Sequence, residues 1–291
     1  MKNALCLLCG LVVVAAVVIA GAWAQEKSDG KVVAIPTDKG NGADALVSTR
    51  EPSQNNGAGA SMGIKSSAAG GRVAVIRFDL SEVQEPINWA ALEVRMVGGS
   101  SGFQTYNVFG MTDGEGDKWI EGSGGAAAPA AKGGKGAKAA TQSAPATAAA
   151  TKPADGITAE TAPFKLTKTA GGPYAPPKSP GGVESGAVFL GTMSFDNTGY
   201  KVTKGKAPVV FGNEKLVEFL RADTNKLVTI IITRTDNDAQ AWNEFGAKEG
   251  KNPAVLKVSS ETRPFPQQPT PPASAPASGP ASKPASGAKG S

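Results

Sequence analysis

The chain contains no histidine, and both of its cysteines, Cys6 and Cys9, fall within the first ten residues. That combination removes Ser-His-Asp catalysis, imidazole acid–base chemistry and histidine-ligated zinc; beyond those ten residues it also removes thiolate nucleophiles and cysteine-zinc sites. Oxygen ligands, amines and guanidinium groups remain. Asp113-Gly114-Glu115-Gly116-Asp117 sets three carboxylates at alternate positions in a glycine-rich loop. Calcium takes several oxygens from one flexible turn, so this stretch is a candidate cradle for a structural calcium. It lacks the bidentate acid that completes an EF-hand loop, and an ordinary acidic turn is the plainer expectation. Asp236-Asn237-Asp238 is a weaker version of the same pattern. Glu115, Asp117, Glu121 and Glu249 also supply carboxylates, but a glycosidase needs two at a set separation that sequence does not define.

Arg50, Lys65, Arg72 and Arg77 form a second set, on or beside neighbouring early strands. A guanidinium fork meets a uronate carboxylate with two parallel hydrogen bonds, a contact no neutral sugar offers. The plainer expectation is a solvated strand face with Arg77 paired to Asp79 or another acid. Trp119, Tyr106 and Trp242 have flat faces suited to sugar rings, although burial in a sandwich core is the commoner role for tryptophan.

The elements that position these residues occupy only part of the chain. Met1–Ala24 combines a basic Lys2, an unbroken small-and-apolar run over Ala4–Ala20 and the small-x-small triplet Ala22-Trp23-Ala24. It reads as a cleaved signal peptide, after whose removal no membrane association is expected, rather than as an anchor. Ser123–Pro153 consists almost wholly of Ala, Gly, Pro, Lys, Ser and Thr, too poor in apolar side chains to offset ordering entropy. Residues 263–291 end in a PASA-type repeat of period four from Pro272 to Gly287, which favours an extended tether. Eight of the thirty cations lie in these three acid-free segments, leaving 22 basic against 25 acidic residues in the foldable part. The overall charge of +5 is therefore no sign of nucleic-acid binding, because a nucleic-acid domain is basic where it folds.

The remaining 207 residues, 25–122 with 154–262, suffice for one domain. Arg72–Leu80 is the densest strand-like run, with Ala74, Ile76, Phe78 and Leu80 on one face at period two. Short strands are also expected at Lys31–Ile35, Asp44–Thr49, Met62–Ser66, Trp89–Val97, Phe103–Phe109, Gly186–Phe195, Leu227–Arg234, Trp242–Ala247 and Ala254–Val258. Glu214–Leu220 is the one helix the pattern supports. The fold class that follows is all-β: a jelly-roll-like antiparallel β-sandwich with a disordered internal insertion and a disordered C-terminal tail.

An ordered set of short words resembles a known family. Asp44-Ala45, Asn55-x-Gly57 and Ile64-Lys65 precede Ile76-Arg77-Phe78-Asp79-Leu80-Ser81. Ala90-Ala91-Leu92-Glu93-Val94, Val108-Phe109-Gly110, Trp119-x-Glu121-Gly122 and Ile157-Thr158 with Ala162-Pro163 follow. Phe245-Gly246-Ala247-Lys248-Glu249 and Pro253-Ala254-Val255-Leu256-Lys257-Val258 close the set. Together they resemble the secreted DNRLRE-domain family, also described as carbohydrate-binding module family 96. The resemblance implies a jelly-roll sandwich accompanying bacterial polysaccharide-degrading enzymes and cell-surface proteins, some members binding acidic polysaccharides such as alginate. It implies a binding role for basic residues of the early strands, matched most clearly here by Lys65 and Arg77. The chain departs from the pattern in its insertion and in Ala159 where an aromatic residue is expected, and no attached catalytic domain is expected.

The expected protein is thus a secreted, non-catalytic carbohydrate-binding module for an acidic polysaccharide. Its expected contacts are Arg50, Lys65, Arg72, Arg77 and Trp119, with Asp113, Glu115 and Asp117 as the candidate calcium ligands and no other cofactor. A structural cell-surface protein and a polysaccharide-degrading enzyme are the alternatives.

Overall fold

The computed structural model describes residues 31–67, 70–111, 113–123, 156–168, 174–175, 187–198, 208–235 and 242–270. The signal-peptide segment, nearly all of the insertion, Asp236–Asp238 and the PASA repeat lie outside the described residues.

Strand β4 (Gly70–Asp79) is the centre of the fold, and its alternation is buried on both sides. Ala74, Ile76 and Phe78 enter one hydrophobic core, while Val73 and Val75 enter a second. Around it runs an antiparallel sheet in the order β2 (Ala43–Ser48), β4, β11 (Leu227–Arg234), β6 (Gly102–Met111), β9 (Ala187–Asn197). A second group runs β1 (Val33–Pro36), β13 (Val255–Ser259), β5 (Trp89–Gly99), β10 (Pro208–Phe211). Strand β5 passes on to β12 (Trp242–Gly246), which pairs with β3 (Ser61–Ser67), and β3 turns into β4. The two groups are thereby one continuous antiparallel sheet folded over itself. The protein is the all-β sandwich expected from its alternating strands.

The larger core lies between the folded-over halves. Ile230 and Ile232 from β11 and Tyr106 and Val108 from β6 belong to the same cluster as Leu92, Val94 and Met96 from β5 and Leu256 from β13. The expected helix forms as α1 (Glu214–Ala222), capped by Asn213, whose side chain accepts the Leu216 amide at 2.9 Å, and buries Leu216, Val217 and Leu220. Two small strands, β7 (Thr167–Lys168) and β8 (Tyr174–Ala175), pair separately. Among the described residues no helix is long and apolar enough to cross a membrane.

The second core covers the other face of the β2–β4–β11–β6 sheet. It is roofed by Trp119, Ile157 and Phe164, residues that flank the insertion. The two flanks meet at its base: the Ile157 amide donates to the Ile120 carbonyl at 2.7 Å. Asn55 donates to the carbonyls of both Glu121 and Ile157, at 2.8 and 3.1 Å. The two flanks of the low-complexity segment therefore meet at a single point of one domain.

The domain boundary expected at residue 262 is too early. Pro264–Gln268 crosses the edges of β9 and β10: Gln268 accepts the Ser194 amide and donates to the Val210 carbonyl, each at 2.8 Å. Phe265 packs on the main core, and Trp89 donates to the Pro264 carbonyl at 3.2 Å. Averaged composition groups these residues with the tail, whereas one phenylalanine and one glutamine suffice to fasten them across two open strand edges.

Candidate functional site

The expected ligand residues separate into two places. Arg72 and Arg77 are five residues apart on β4, hence on opposite faces and about 17 Å apart along the strand.

At the Arg77 end the guanidinium is occupied. Its Nε donates to the Asn41 carbonyl at 2.9 Å, and one terminal nitrogen donates to the carbonyls of Asp117 and Trp119 at 2.9 and 2.6 Å. The group also lies 4.9 Å from the Trp119 ring centroid. Burial lowers the Arg77 pKa, opposed by Asp117, Glu121 and Asp79. Arg77 is thus a clamp that fastens the roof of the second core to β4, and the expected free cation for a sugar carboxylate is corrected to that role. The local pairing with Asp79 does not form either. Burial raises the Asp79 carboxyl, but hydrogen bonds from Asn41 and Ser81 outweigh it and hold it below the usual range. Gly40, at φ 57°, permits that arrangement, since a Cβ there would stand 2.6 Å from Asp79 Oδ2.

Trp119 shares this fate. It is only 6 % exposed, and its indole nitrogen donates to Thr229 Oγ1 at 3.1 Å. The Thr229 hydroxyl in turn donates to Asp117 Oδ1 at 3.0 Å. Trp119 is a core residue and presents no face to a ligand; Tyr106 is fully buried as well. Of the three aromatic candidates, Trp242 alone is at the surface, 42 % exposed.

The other end of β4 has a different character. Lys65 stands directly opposite Trp242 on β12 and directly opposite Arg72 on β4, so the three form one row across three strands. Arg72 makes a 3.5 Å ion pair with Glu51 in which both side chains stay more than 40 % exposed. Such a pair contributes little and exchanges readily with solvent or ligand. Arg50 is exposed beside this row, where its backbone runs along the β3–β4 hairpin: a Cβ on Gly70 (φ 146°) would lie 3.0 Å from Arg50 Cβ. Glu244, two residues from Trp242 on the same face of β12, pairs with Gly63 on one side and Gly98 on the other. The Glu244 side chain lies over these glycines next to the indole: a Cβ on Gly98 would stand 2.7 Å from Glu244 Oε2. Burial raises the Glu244 pKa. The alternation within Trp242-Asn243-Glu244-Phe245, with Asn243 and Phe245 fully buried, is the signal that identifies Trp242 as outward-facing.

The acidic candidates are also rearranged. Asp113 and Asp117 lie together, and their third neighbour is Asp223 from the end of α1, all within 4.8 Å through their carboxylate oxygens. The backbone of Glu115 belongs to a short 3-10 turn, while its side chain lies outside the described part. Thr224 donates to Asp113, holding its carboxyl low, whereas burial raises Asp117. Burial and the hydrogen bond to Asp113 push Asp223 up to about 6. Protein donors already occupy Asp113 and Asp117: Thr224 on the first, Asn225 and Thr229 on the second. A second cluster, Asp44 with Glu121 and Glu249, joins acids from three distant parts of the chain. Nothing in the local sequence announces it.

No known family model and no curated protein matches the chain.

Proposed function

We propose that the protein is a secreted, non-catalytic carbohydrate-binding module for an acidic polysaccharide, and that its contact surface is the row Trp242–Lys65–Arg72 with Arg50 at its margin. The observation that carries this reading is the register: an exposed indole directly opposite an ammonium that is itself opposite a solvent-accessible guanidinium. A pyranose ring stacked on Trp242 would lie beside Glu244, whose carboxylate rests over Gly63 and Gly98 and can accept a sugar hydroxyl. Lys65 and Arg72 then supply positive charge for a uronate carboxylate. The ordered words that resemble the DNRLRE domain, or carbohydrate-binding module family 96, support the same class.

The carboxylate groupings favour binding over hydrolysis, because Asp44 and Asp117, one in each acidic cluster, are buried away from any glycosidic bond.

Affinity electrophoresis through gels containing alginate, pectin or a neutral glucan tests the proposal. Retardation is expected on an acidic polysaccharide, weakened at least fivefold by Trp242→Ala and by Lys65→Ala. Migration unaffected by every polysaccharide would instead support a structural surface protein, and release of unsaturated uronate would support an enzyme. Retardation unchanged by both substitutions would remove the proposed surface.

A further inference from the structure

We propose that Asp44, Glu121 and Glu249, together with the Gly42 carbonyl, bind a divalent cation of the calcium class, which takes the place of the Lys248 ammonium. The inference does not depend on the polysaccharide reading.

Three strands of chain meet at this point. Asp44 is the second residue of β2, Glu121 lies at the base of the insertion, and Lys248-Glu249 follows β12. One oxygen from each carboxylate lies within 4.8 Å of the other two. Two calcium ligands at 2.3–2.6 Å on opposite sides of the ion are themselves about 4.6–5.2 Å apart, so the three oxygens fit around one such centre. The ligand set is oxygen alone, which suits a hard cation and not a transition metal.

The independent observation is Asp44 itself. The residue is fully buried, and its Oδ2 accepts the Lys248 amide at 2.8 Å and the Thr37 hydroxyl at 3.1 Å. Its Oδ1, equally buried, has no hydrogen-bond partner. A carboxylate oxygen enclosed without a donor is costly to retain, and a cation is the partner that a site lined by two further carboxylates would admit. The burial that lifts Asp44 to about 7, with the charges of Glu249 and Glu121 adding to it, is the same field a dication would relieve.

The Lys248 ammonium marks where the charge is wanted. It pairs with Glu121 Oε2, lies 3.9 Å from Glu249 Oε1 and approaches the Gly42 carbonyl at 3.5 Å. One ammonium contacts two carboxylates of a cluster of three, an imbalance that a double charge corrects. In the Asp113–Asp117–Asp223 cluster Asp223 Oδ1 also lacks a partner, but Asp223 is only half-buried, and threonine and asparagine donors serve Asp113 and Asp117.

The test is calcium titration of the full chain after EDTA treatment, by calorimetry and by melting temperature. One calcium per chain is expected, with a Tm rise of about 5–10 °C at a hundredfold excess over Kd. Magnesium should bind at least tenfold more weakly, since it demands a tighter octahedral shell. Asp44→Asn and Glu249→Gln should each weaken calcium binding at least tenfold. Lys248→Met, which removes the competing ammonium, should tighten it several-fold, and Asp113→Asn should leave it unchanged. Should Asp44→Asn not fold, Glu249→Gln and Lys248→Met carry the test, because their side chains are less enclosed. The proposal fails if calcium at about 5 mM, above the range of extracellular calcium modules, gives neither heat nor a Tm change. It fails equally if Asp113→Asn abolishes binding while Glu249→Gln does not, or if Lys248→Met leaves the affinity unaltered.

Discussion

Arg72 and Arg77 share a strand, a side-chain type and a sequence neighbourhood, yet they hold opposite positions in the energetics of the domain. Arg77 donates to three backbone carbonyls and lies against a buried indole, so its interactions are internal. Arg72 meets one exposed acid, and its row-mates Lys65 and Trp242 face outward. The difference lies in what each residue faces. Arg77 looks onto the roof made by the insertion flanks, where carbonyls of residues 117 and 119 are left without ladder partners and need a donor. Arg72 stands at the strand end where β3 leaves β4, beyond the reach of that roof. Removing the first should therefore cost stability and removing the second should cost ligand affinity.

The largest expected effect is at Arg77. Arg77→Ala strips donors from three carbonyls and exposes one face of Trp119, for a loss of about 3 kcal/mol in urea unfolding. Arg77→Lys should recover less than half of this, because an ammonium cannot reproduce the planar fork. Polysaccharide affinity of either variant, measured below its melting transition, should stay within twofold of the parent. A selective loss of affinity without loss of stability would reverse the assignment of the two arginines.

The same end of β4 carries a pH signature. Asp44 stands opposite Ile76, one residue from Arg77, and burial raises its carboxyl from 3.8 to about 7, with Glu249 and Glu121 adding to the shift and hydrogen bonds from Lys248 and Thr37 opposing it. A raised carboxyl binds its proton more tightly in the folded state than in the unfolded one. Folding stability is therefore lost as pH climbs from about 4 to 7, by roughly 2–3 kcal/mol from this group. Urea midpoints in EDTA across that range should fall more steeply for the parent than for Asp44→Asn. Equal slopes would assign the proton to another group.

Trp119→Phe is the next smaller effect, about 1–2 kcal/mol. It removes the hydrogen bond to Thr229 and part of the roof's volume while keeping an aromatic ring beneath Arg77. Near-UV circular dichroism should lose the band of an immobilised indole. An unchanged unfolding midpoint would mean that Trp119 is not the keystone its burial indicates.

These contrasts also explain what could be read from sequence. The inner face of β4 was legible because Ala74, Ile76 and Phe78 alternate, and the helix because Leu216, Phe219 and Leu220 cluster at helical spacing. Burial of Val73 and Val75 in a second core was not, since its roof comes from residues 119 and 157–164, across an insertion of unrelated composition. Strand β10 has no clear sequence signature, because Pro208–Phe211 is four residues long and preceded by a lysine- and glycine-rich run. Arg77 looked like a ligand contact because its partners are main-chain carbonyls, which have no residue-type signature. Arg50, Lys65 and Arg72 could be grouped from strand adjacency, but the choice of Trp242 over Trp119 required the outward parity of β12.

The smallest effects belong to the exposed end, and they are where the comparison can be sharpened. Arg72→Ala breaks only a solvent-exposed pair with Glu51, so its unfolding free energy should change by less than about 0.5 kcal/mol. Its affinity for an acidic polysaccharide should nevertheless fall about threefold to tenfold, because one fork to a uronate carboxylate is lost from a shallow surface. Glu51→Gln frees the same guanidinium from competition and should raise affinity by up to about twofold. Both changes should shrink as salt is raised from about 20 mM to 0.5 M, since charges at this exposure are screened over a Debye length of about 20 Å at the lower salt and 4 Å at the higher. Equal affinities for parent, Arg72→Ala and Glu51→Gln at low salt would leave Trp242 and Lys65 as the surface and reduce Arg72 to a solvated rim charge. Opposite shifts for the two variants, fading together with salt, would show that the guanidinium at this end of β4 is shared between an internal acid and an external one.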